Sequence, residues 1–258
     1  MVIAMADQGH DSTNLVARAW TILSVFHPRD RRLSAAELAR RSGLPRTTAY
    51  RIAGELASLG ALEQVGDGQF QLGMRLFELG QLALYQRGLR ESAASFLADL
   101  ATSTHHTAHL AVRDGTEVVY LDIIRPSQAP HLRSRVGGRL PITVTGVGKA
   151  LLAFSPPETV SAVLAAGLPR LTIHSITDET RMRTELAKVR RAGIAFDDQE
   201  QAIGTSCCAA PILGANKRAV AAISVSGHTT SIRLDRVAPA VQAAAAGISR
   251  LQGAYGQT

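Results

Sequence analysis

Apolar residues recur at helical spacing near the start of the chain and predict a helix over residues 15–26. It ends before Pro28, because the residue preceding a proline is pushed out of the α region. Ser34 and Glu37 have the spacing of a capping box, which opens a short second helix. Gly43 suits the end of that helix, and Pro45 suits the first turn of a third that runs to about residue 59. Two helices joined by a short glycine-containing turn are typical of a helix-turn-helix.

The third predicted helix has two distinct faces. Its apolar residues have core spacing, and the opposite face carries residue types that contact bases and phosphates in the major groove. Residues 61–65 and 69–72 flank a Gly-Asp-Gly turn, so they predict a hairpin, and a hairpin at this place is a wing. The candidate DNA-binding residues are Ser34, Arg46, Thr47, Thr48, Tyr50 and Arg51. The alternative is a three-helix packing module that does not contact DNA.

Residues 74–87 predict a helix that is apolar on nearly all sides. Such a helix between two domains is usually buried against a partner, and the alternative is a core helix within one domain. We therefore divide the chain into a winged helix-turn-helix domain (1–73), a linker and dimerisation helix (74–90) and a third part (91–258).

The third part mixes strands and helices in an order that predicts an α+β fold, an antiparallel sheet with helices packed on it. Strands are expected at 109–112, 117–124, 193–196, 207–213 and 219–227, and helices at 91–103, 147–154, 158–166, 178–191 and 235–252. This architecture suits a sensor domain.

Several residues of this part suit ligand binding. Gly146, Val147 and Gly148 precede a helix, so free amides and the helix dipole can hold an anion, with Lys149 adding charge unless it extends to solvent or caps a carbonyl. The ligand candidates from the strands are Ser224 and Ser226, whose side chains point to one face, with Asp197 as an acceptor and Cys207 as a polarizable wall residue rather than a reactive thiol. The serine hydroxyls have an alternative role in bonding neighbouring strands.

Four ordered segments resemble motifs of the IclR family of bacterial transcriptional regulators. They are residues 33–51 (LSAAELARRSGLPRTTAYR), 146–153 (GVGKALLA), 204–211 (GTSCCAAP) and 221–227 (AAISVSG). The sequence departs from the family pattern at Cys208, where a larger aliphatic residue is commoner, and at Tyr50, where histidine is frequent.

The resemblance implies a GAF-like effector-binding domain, a linker helix that helps to form a homodimer or a dimer of dimers, and a double-stranded, pseudo-palindromic operator. It implies that the effector contacts Gly146, Val147, Asp197, Cys207, Ser224 and Ser226. A loop from Ala129 to Leu132, placed by its approximate position along the chain, is expected to close over the pocket. Amides and serines suit a carboxylate or carbonyl end, so the expected effector is a small organic acid, an amide or an aromatic acid.

Composition and charge agree with these expectations. The chain has 258 residues, a mean hydropathy of +0.07 and a net charge of +7. Residues 29–51 hold seven arginines against Asp30 and Glu37, or 7 − 2 = +5, and a second basic stretch comprises Arg125, Arg133, Arg135, Arg139 and Lys149. Neither a membrane-spanning run nor a signal peptide is recognisable, so we expect a cytoplasmic protein without membrane contact.

Enzyme chemistry has little support. The sequence lacks a G-x-S-x-G elbow, a phosphate-binding loop and the third glycine of a dinucleotide motif. The closely spaced His105, His106 and His109 lack a supporting carboxylate for a metal site, so we expect neither metal nor cofactor. The sequence thus predicts a non-enzymatic transcriptional regulator controlled by a metabolite, and the resemblance to the IclR family implies a repressor. The alternative is a metabolite-binding enzyme or sensor without DNA binding.

Overall fold

The computed structural model describes residues 14–66, 68–82, 84–129, 132 and 134–255. Contacts along the chain divide it into two units, Met1–Leu84 and Tyr85–Thr258. The three-part division with a linker and dimerisation helix at 74–90 stays a prediction.

Three helices and a small sheet form the N-terminal unit. The helices are α1 (Leu15–Ser24), α2 (Ala35–Ser42) and α3 (Arg46–Ser58), and the strands are β1 (Leu33–Ser34), β2 (Leu62–Val65) and β3 (Gln69–Leu72), in the order β1-β3-β2. The Ser34 hydroxyl caps α2 by accepting the Glu37 N–H at 3.2 Å, and Gly43 ends α2 with φ 71°. Pro45 precedes α3 instead of opening it.

Apolar residues from every element meet in the core of this unit. Ile22, Leu38, Ile52, Leu62 and Phe70 are fully buried, and each such side chain stabilises the fold by roughly 1.5–3 kcal/mol. The two-residue strand β1 was not predicted; it pairs Leu33 with Phe70 of the wing and so ties the start of α2 to the hairpin.

The helix predicted over residues 74–87 is interrupted. The structure has α4 (Met74–Gln81), which is closed at Leu82 by bonds to the carbonyls of Gly80 and Leu79, and α5 (Leu84–Thr104). Glycine at position 80 weakens the helix where it ends. Within the chain α4 buries none of its residues, so it is not a core helix of its unit. Its large apolar side chains Met74, Phe77 and Leu79 and the capping Leu82 are 53–69% exposed.

A six-stranded antiparallel sheet is the frame of the C-terminal unit. Its order is β6-β5-β4-β9-β8-β7, which confirms the predicted α+β class. The strands are β4 (Thr107–Asp114), β5 (Glu117–Ile124), β6 (Arg139–Pro141), β7 (Ala195–Asp198), β8 (Thr205–Leu213) and β9 (Ala219–His228). The short β6 was not predicted.

Helices cover both faces of this sheet. α5 and α9 (Leu234–Tyr255) pack on one face, and α6 (Gly146–Ala153), α7 (Pro157–Ala165) and α8 (Glu179–Ala192) on the other. Side chains alternate along the strands, so Ile223, Val225 and Cys208 enter the core with α5 and α9. Their neighbours Ser224 and Ser226 point toward α6. Among the helices of the described residues, none is long and apolar enough to cross a membrane.

Candidate functional site

Helix α3 presents a polar face to solvent. Arg46, Thr47, Tyr50 and Arg51 are exposed and Thr48 is half-buried, because Ala49, Ile52, Ala53 and Leu56 on the other face fill the core. The Tyr50 ring and the Phe70 ring of the wing make an edge-to-face contact at a centroid distance of 6.2 Å. The helix and the wing therefore hold one another in place, and the face of α3 stays accessible to a DNA groove.

The arginines of residues 29–51 have two different roles. Arg41 binds Asp30 at 2.5 Å and Glu37 at 2.7 Å, and Arg40 binds Glu37 at 2.6 Å. The guanidinium groups of Arg40 and Arg41 lower the pKa of Glu37 to about 2, so these ion pairs brace the scaffold. The Glu37 carboxylate therefore bonds to arginines, whereas a capping box would turn it back to the Ser34 amide.

Other arginines remain available for phosphate contacts. Arg29, Arg31 and Arg32 line an open concavity of about 880 Å³ that also contacts Gln71 of the wing. Arg51 is paired with Glu55 at 2.5 Å, although both side chains are about half exposed. Of the described carboxylates, none pairs with Arg46. Positive charge is thus concentrated along α3 and the loop before α2.

The C-terminal unit contains a cavity of about 470 Å³ between the sheet and α6. Most of the predicted effector residues line it, namely Leu132, Gly146, Val147, Asp197, Cys207, Ser224 and Ser226. Ala129 is not among its lining residues, and residues 130 and 131 of the predicted closing loop lie outside the described residues. Sequence positions far apart thus meet around one space, and their role in effector binding stays a prediction.

The start of α6 lies directly over strand β8. The Thr145 hydroxyl caps the helix by accepting the Gly148 N–H at 3.1 Å. A Cβ atom on Gly146 would lie 3.0 Å from the Cys207 sulfur, and one on Gly148 would lie 1.8 Å from the Ile142 carbonyl oxygen. Glycine at both positions therefore permits this close approach. The N–H groups of Gly146 and Val147 belong to the first turn, where amides have no acceptor within the helix.

Lys149 is buried and its charge is paired within the protein, an arrangement that none of the roles expected from the sequence included. Its side chain is 1% exposed and forms an ion pair with Glu200, with a second carboxylate, Glu185, at 3.9 Å. A buried ammonium is stable only when paired in this way, because burial removes its hydration. Lys149 therefore fastens α6 to the segment after β7.

Asp197 lies on β7, where it pairs with Cys207 of β8 and borders the cavity. Its Oδ1 accepts the backbone N–H groups of Glu200 at 2.8 Å and Gln201 at 3.4 Å. Burial, reinforced by the nearby Glu200 carboxylate, raises the pKa of Asp197 to about 7. The raised pKa favours the protonated form of Asp197, which can donate a hydrogen bond.

Sequence reasoning missed the histidine and the tyrosine of the cavity. The His109 Nε2 lies 2.8 Å from the Ser134 hydroxyl, and the His109 ring tilts against Tyr120 at 5.3 Å. Burial lowers the pKa of His109 to about 3, so the imidazole is neutral. The sequence did contain a signal for His109, because the two-residue repeat of β4 puts its side chain on the same face as that of Ala111. Within the described residues, no cluster of three or more possible ligands suits a metal ion.

Cys207 contributes a thiol rather than a thiolate. Burial raises its pKa to about 12, while the neighbouring Ser224 and Ser226 hydroxyls oppose that rise. The cavity is therefore a small polar chamber whose walls offer hydroxyl groups, one thiol, a neutral imidazole and helix amides. Such a chamber suits recognition of a small molecule with hydrogen-bonding groups.

Comparison with known proteins covers both units. Residues 15–66 match the family profile described as the IclR helix-turn-helix domain, and residues 81–250 match the one described as bacterial transcriptional regulator IclR C-terminal. The HTH-type transcriptional regulator XynR of Escherichia coli is 30% identical over 84% of this chain and 87% of its own. The transcriptional repressor IclR of the same species is 32% identical over 80% of this chain and 76% of its own.

A solved structure adds a liganded relative. The crystal structure of an IclR homolog from Microbacterium hydrocarbonoxydans complexed with 4-hydroxybenzoate is 30% identical, covers 92% of this chain and 98% of its own, and has a TM-score of 0.84. The profiles and relatives together span the DNA-binding and ligand-binding units in the same order. This chain therefore belongs to the IclR family and is a transcriptional regulator with an N-terminal helix-turn-helix DNA-binding domain and a C-terminal effector domain.

Proposed function

We propose that this regulator is a repressor whose operator affinity changes when a small organic acid binds in the cavity beside α6. The observation that carries the proposal is the convergence of free helix amides at Gly146 and Val147 with the hydroxyls of Ser224 and Ser226 on one enclosed space. Amide and hydroxyl donors suit a carboxylate. The relative complexed with 4-hydroxybenzoate supports an aromatic acid as one candidate.

The DNA-binding half of the proposal rests on exposure and charge. Arg46, Thr47, Thr48 and Tyr50 are placed to read base edges, while Arg51 and the arginines before α2 hold phosphates, with Ser34 at the helix start as a further contact. The operator is double-stranded and pseudo-palindromic, since a symmetric protein reads a symmetric site.

We infer that α4 is the dimerisation element. Met74, Phe77, Leu79 and Leu82 leave an apolar stripe exposed on the chain, and a second copy would bury it. A homodimer or a dimer of dimers follows. A monomer in sedimentation at micromolar concentration contradicts this assignment.

The cavity binds its ligand without transforming it. Cys207 stays protonated because burial raises its pKa to about 12, and His109 is hydrogen-bonded to Ser134 rather than to the thiol. This arrangement disfavours the alternative of a cysteine hydrolase, since the nucleophile is the thiolate. Recovery of a chemically altered ligand after incubation with the protein would revive the enzyme alternative.

Two assays test the two halves of the function. Fluorescence anisotropy with the DNA upstream of the protein's own gene measures operator binding with and without 4-hydroxybenzoate, and an effector with a coupling free energy of about 1–3 kcal/mol changes the affinity by roughly 5- to 150-fold. Titration calorimetry compares the native protein with Ser224→Ala/Ser226→Ala and with the exposed control Ser161→Ala. Equal acid affinity in all three proteins refutes the pocket.

A further inference from the structure

His109 and Ser134 form a part of the cavity wall that is two strands away from the start of α6. His109 on β4 lies opposite Ser224 on β9, and Ser224 lies opposite Ala209 on β8. The start of α6 is over β8, because a Cβ atom on Gly146 would lie 3.5 Å from that of Ala209. Two strand spacings, or about 10 Å, therefore separate the helix amides from β4. A single ring with a polar group on each side reaches from one to the other.

The two residues are hydrogen-bonded to each other, and the bond indicates which nitrogen of His109 carries the proton. Nε2 lies 2.8 Å from the Ser134 hydroxyl. The other ring nitrogen, Nδ1, is buried and has no hydrogen-bond partner within the described part of the chain. Buried N–H groups without an acceptor are rare in folded proteins, because the hydrogen bonds that they lose to water are not replaced. The proton of the neutral ring therefore belongs on Nε2, where Ser134 accepts it.

This proton position fixes the direction in which the Ser134 hydroxyl acts. Its oxygen accepts the Nε2 proton of His109, so its own proton is free to donate into the cavity that it borders. A hydroxyl that accepts one hydrogen bond is also a better donor in the next, since linked hydrogen bonds polarise one another. The group that this part of the wall recognises is therefore a hydrogen-bond acceptor.

The wall around His109 is electrically neutral. Burial lowers the pKa of His109 to about 3, so its ring carries no charge. Among the cavity-lining residues that the structure describes, none is a lysine or an arginine. The nearby Arg125 lies behind the wall, where its Nη2 donates to the Ser134 carbonyl at 3.5 Å. An anion beside His109 would therefore lose hydration without contacting an opposite charge, so the recognised acceptor is uncharged.

Apolar side chains complete the cavity wall. The Tyr120 ring tilts against His109 at a centroid distance of 5.3 Å, and Leu132, Leu140 and Val147 line the same space. A hydrocarbon surface gains free energy when it leaves water for such surroundings. These groups therefore suit a ring or a short chain between the two polar groups of the ligand.

We propose that His109 and Ser134 make the cavity specific for a monocarboxylic acid with an uncharged acceptor oxygen, in a hydroxyl, ether or ketone group, on the side away from the carboxylate. The carboxylate lies at the Gly146 and Val147 amides, and the acceptor oxygen takes the Ser134 hydrogen bond. Ser134 contacts the ligand, and His109 is a positioning residue that acts through Ser134. This inference rests on the proposed effector function and narrows its ligand class. Neither residue belongs to the set that the family resemblance implies.

Titration calorimetry on the full chain tests the acceptor with para-substituted benzoates of matched size. 4-Hydroxybenzoate and 4-methylbenzoate differ by one oxygen, and 4-methoxybenzoate and 4-ethylbenzoate repeat the comparison with an oxygen that can accept but not donate. We expect the oxygen compound of each pair to bind about three- to tenfold more tightly, since one hydrogen bond is gained. Terephthalate should bind more weakly than 4-hydroxybenzoate, because none of the described lining residues offers a cation to its second carboxylate.

Two variants remove the hydrogen bond in different ways. Ser134→Ala lacks the donor, so it should weaken 4-hydroxybenzoate about three- to tenfold more than 4-methylbenzoate. His109→Phe keeps a ring but cannot orient the Ser134 hydroxyl, and it should reduce the same preference, which a merely structural role would not change. The control is Ser161→Ala, an exposed serine on α7, which should retain the full preference. Circular dichroism verifies that each variant is folded.

The outcomes separate this inference from the proposed function. Equal affinities within both pairs, or an undiminished preference in Ser134→Ala, overturn the role of His109 and Ser134 but leave the acid site standing. A preference for the hydroxyl without one for the methoxy group overturns the direction of the hydrogen bond, and terephthalate that binds as tightly as 4-hydroxybenzoate overturns the neutral wall. If no benzoate binds with a Kd below about 1 mM, the proposed acid effector fails together with this inference.

Discussion

Replacement of Lys149 by methionine should destabilise the C-terminal unit far more than loss of a surface ion pair. The Lys149 side chain is 1% exposed and that of its partner Glu200 is 8% exposed. Removal of one member of a buried pair leaves the other charge without compensation, which costs about 3–5 kcal/mol. The exposed pair Arg183–Glu179, with side chains 46% and 54% exposed, contributes at most about 1 kcal/mol.

The paired replacement separates this explanation from a loss of packing. Lys149→Met/Glu200→Met removes both charges and keeps the side-chain volume, so we expect it to recover most of the lost stability. Glu200→Met alone should cost less than Lys149→Met, because Glu185 still lies 3.9 Å from the ammonium. The three variants therefore form a mutant cycle with a predicted order.

The stability lost in Lys149→Met should depend on pH, which gives a second test. Burial already raises the pKa of Glu200, while Lys149 opposes that rise. Without Lys149 the pKa rises further, so the carboxyl takes up a proton in the folded state. Because this folded-state pKa lies above the unfolded value, stability is retained at low pH and is lost as the pH rises through it. The deficit of Lys149→Met should therefore grow from pH 5 to pH 8.

Hydrogen exchange measured by mass spectrometry resolves the two units. We expect the β8 amides of Lys149→Met to lose protection by about 10²- to 10³-fold. This loss corresponds to the lower part of the destabilisation of about 3–5 kcal/mol expected for breaking the buried pair. The amides of α3 serve as an internal control and should be unchanged. A β8 loss no greater than that caused by Arg183→Ala, or a double variant as unstable as Lys149→Met, would refute the reasoning.

Three further predictions follow from the site and its scaffold. Arg46→Ala should weaken operator binding and reduce the slope of log K against log salt by about one, whereas the charge-matched Arg183→Ala should change neither; anisotropy titrations over a salt series decide. The folded-state pKa of Asp197 lies above the usual 3.8, so the native protein should lose stability as the pH rises through about 7, and Asp197→Asn should remove this pH dependence. The free energy of unfolding in urea, measured between pH 5 and pH 9, would contradict this if the native and variant proteins showed the same dependence on pH. Gly148→Ala should lower the thermal midpoint by several degrees, because its Cβ would lie 1.8 Å from a carbonyl oxygen, while Gly80→Ala, with open space around it, should not.

Periodic patterns explain why much of this molecule was predictable. The helical repeat in α3 separates Ile52 from Arg46, so the exposed DNA-facing residues could be named from the sequence. The two-residue repeat of β9 likewise sets Ser224 and Ser226 on one face. In both cases the information lies within one element, where spacing alone decides orientation.

Features that depend on distant partners were not predictable. Lys149 looked like a free cation because Glu200 is 51 positions away in the sequence. Strand β1 has two residues and exists through its pairing with β3, so no repeat marks it. The charge and orientation of His109 depend on burial and on Ser134, which no spacing rule connects to it.

Cys207 and Cys208 are adjacent in sequence but lie on opposite faces of β8. Cys207 borders the cavity, and Cys208 is packed among the residues under α5 and α9. Only Cys207 can be reached through the chamber, and its raised pKa keeps it a poorly reactive thiol there, so an alkylating reagent labels the folded protein slowly at one sulfur and the unfolded protein quickly at both. The number of labels per chain thus distinguishes the two states, and a molecule that occupies the chamber shields the first sulfur from the reagent.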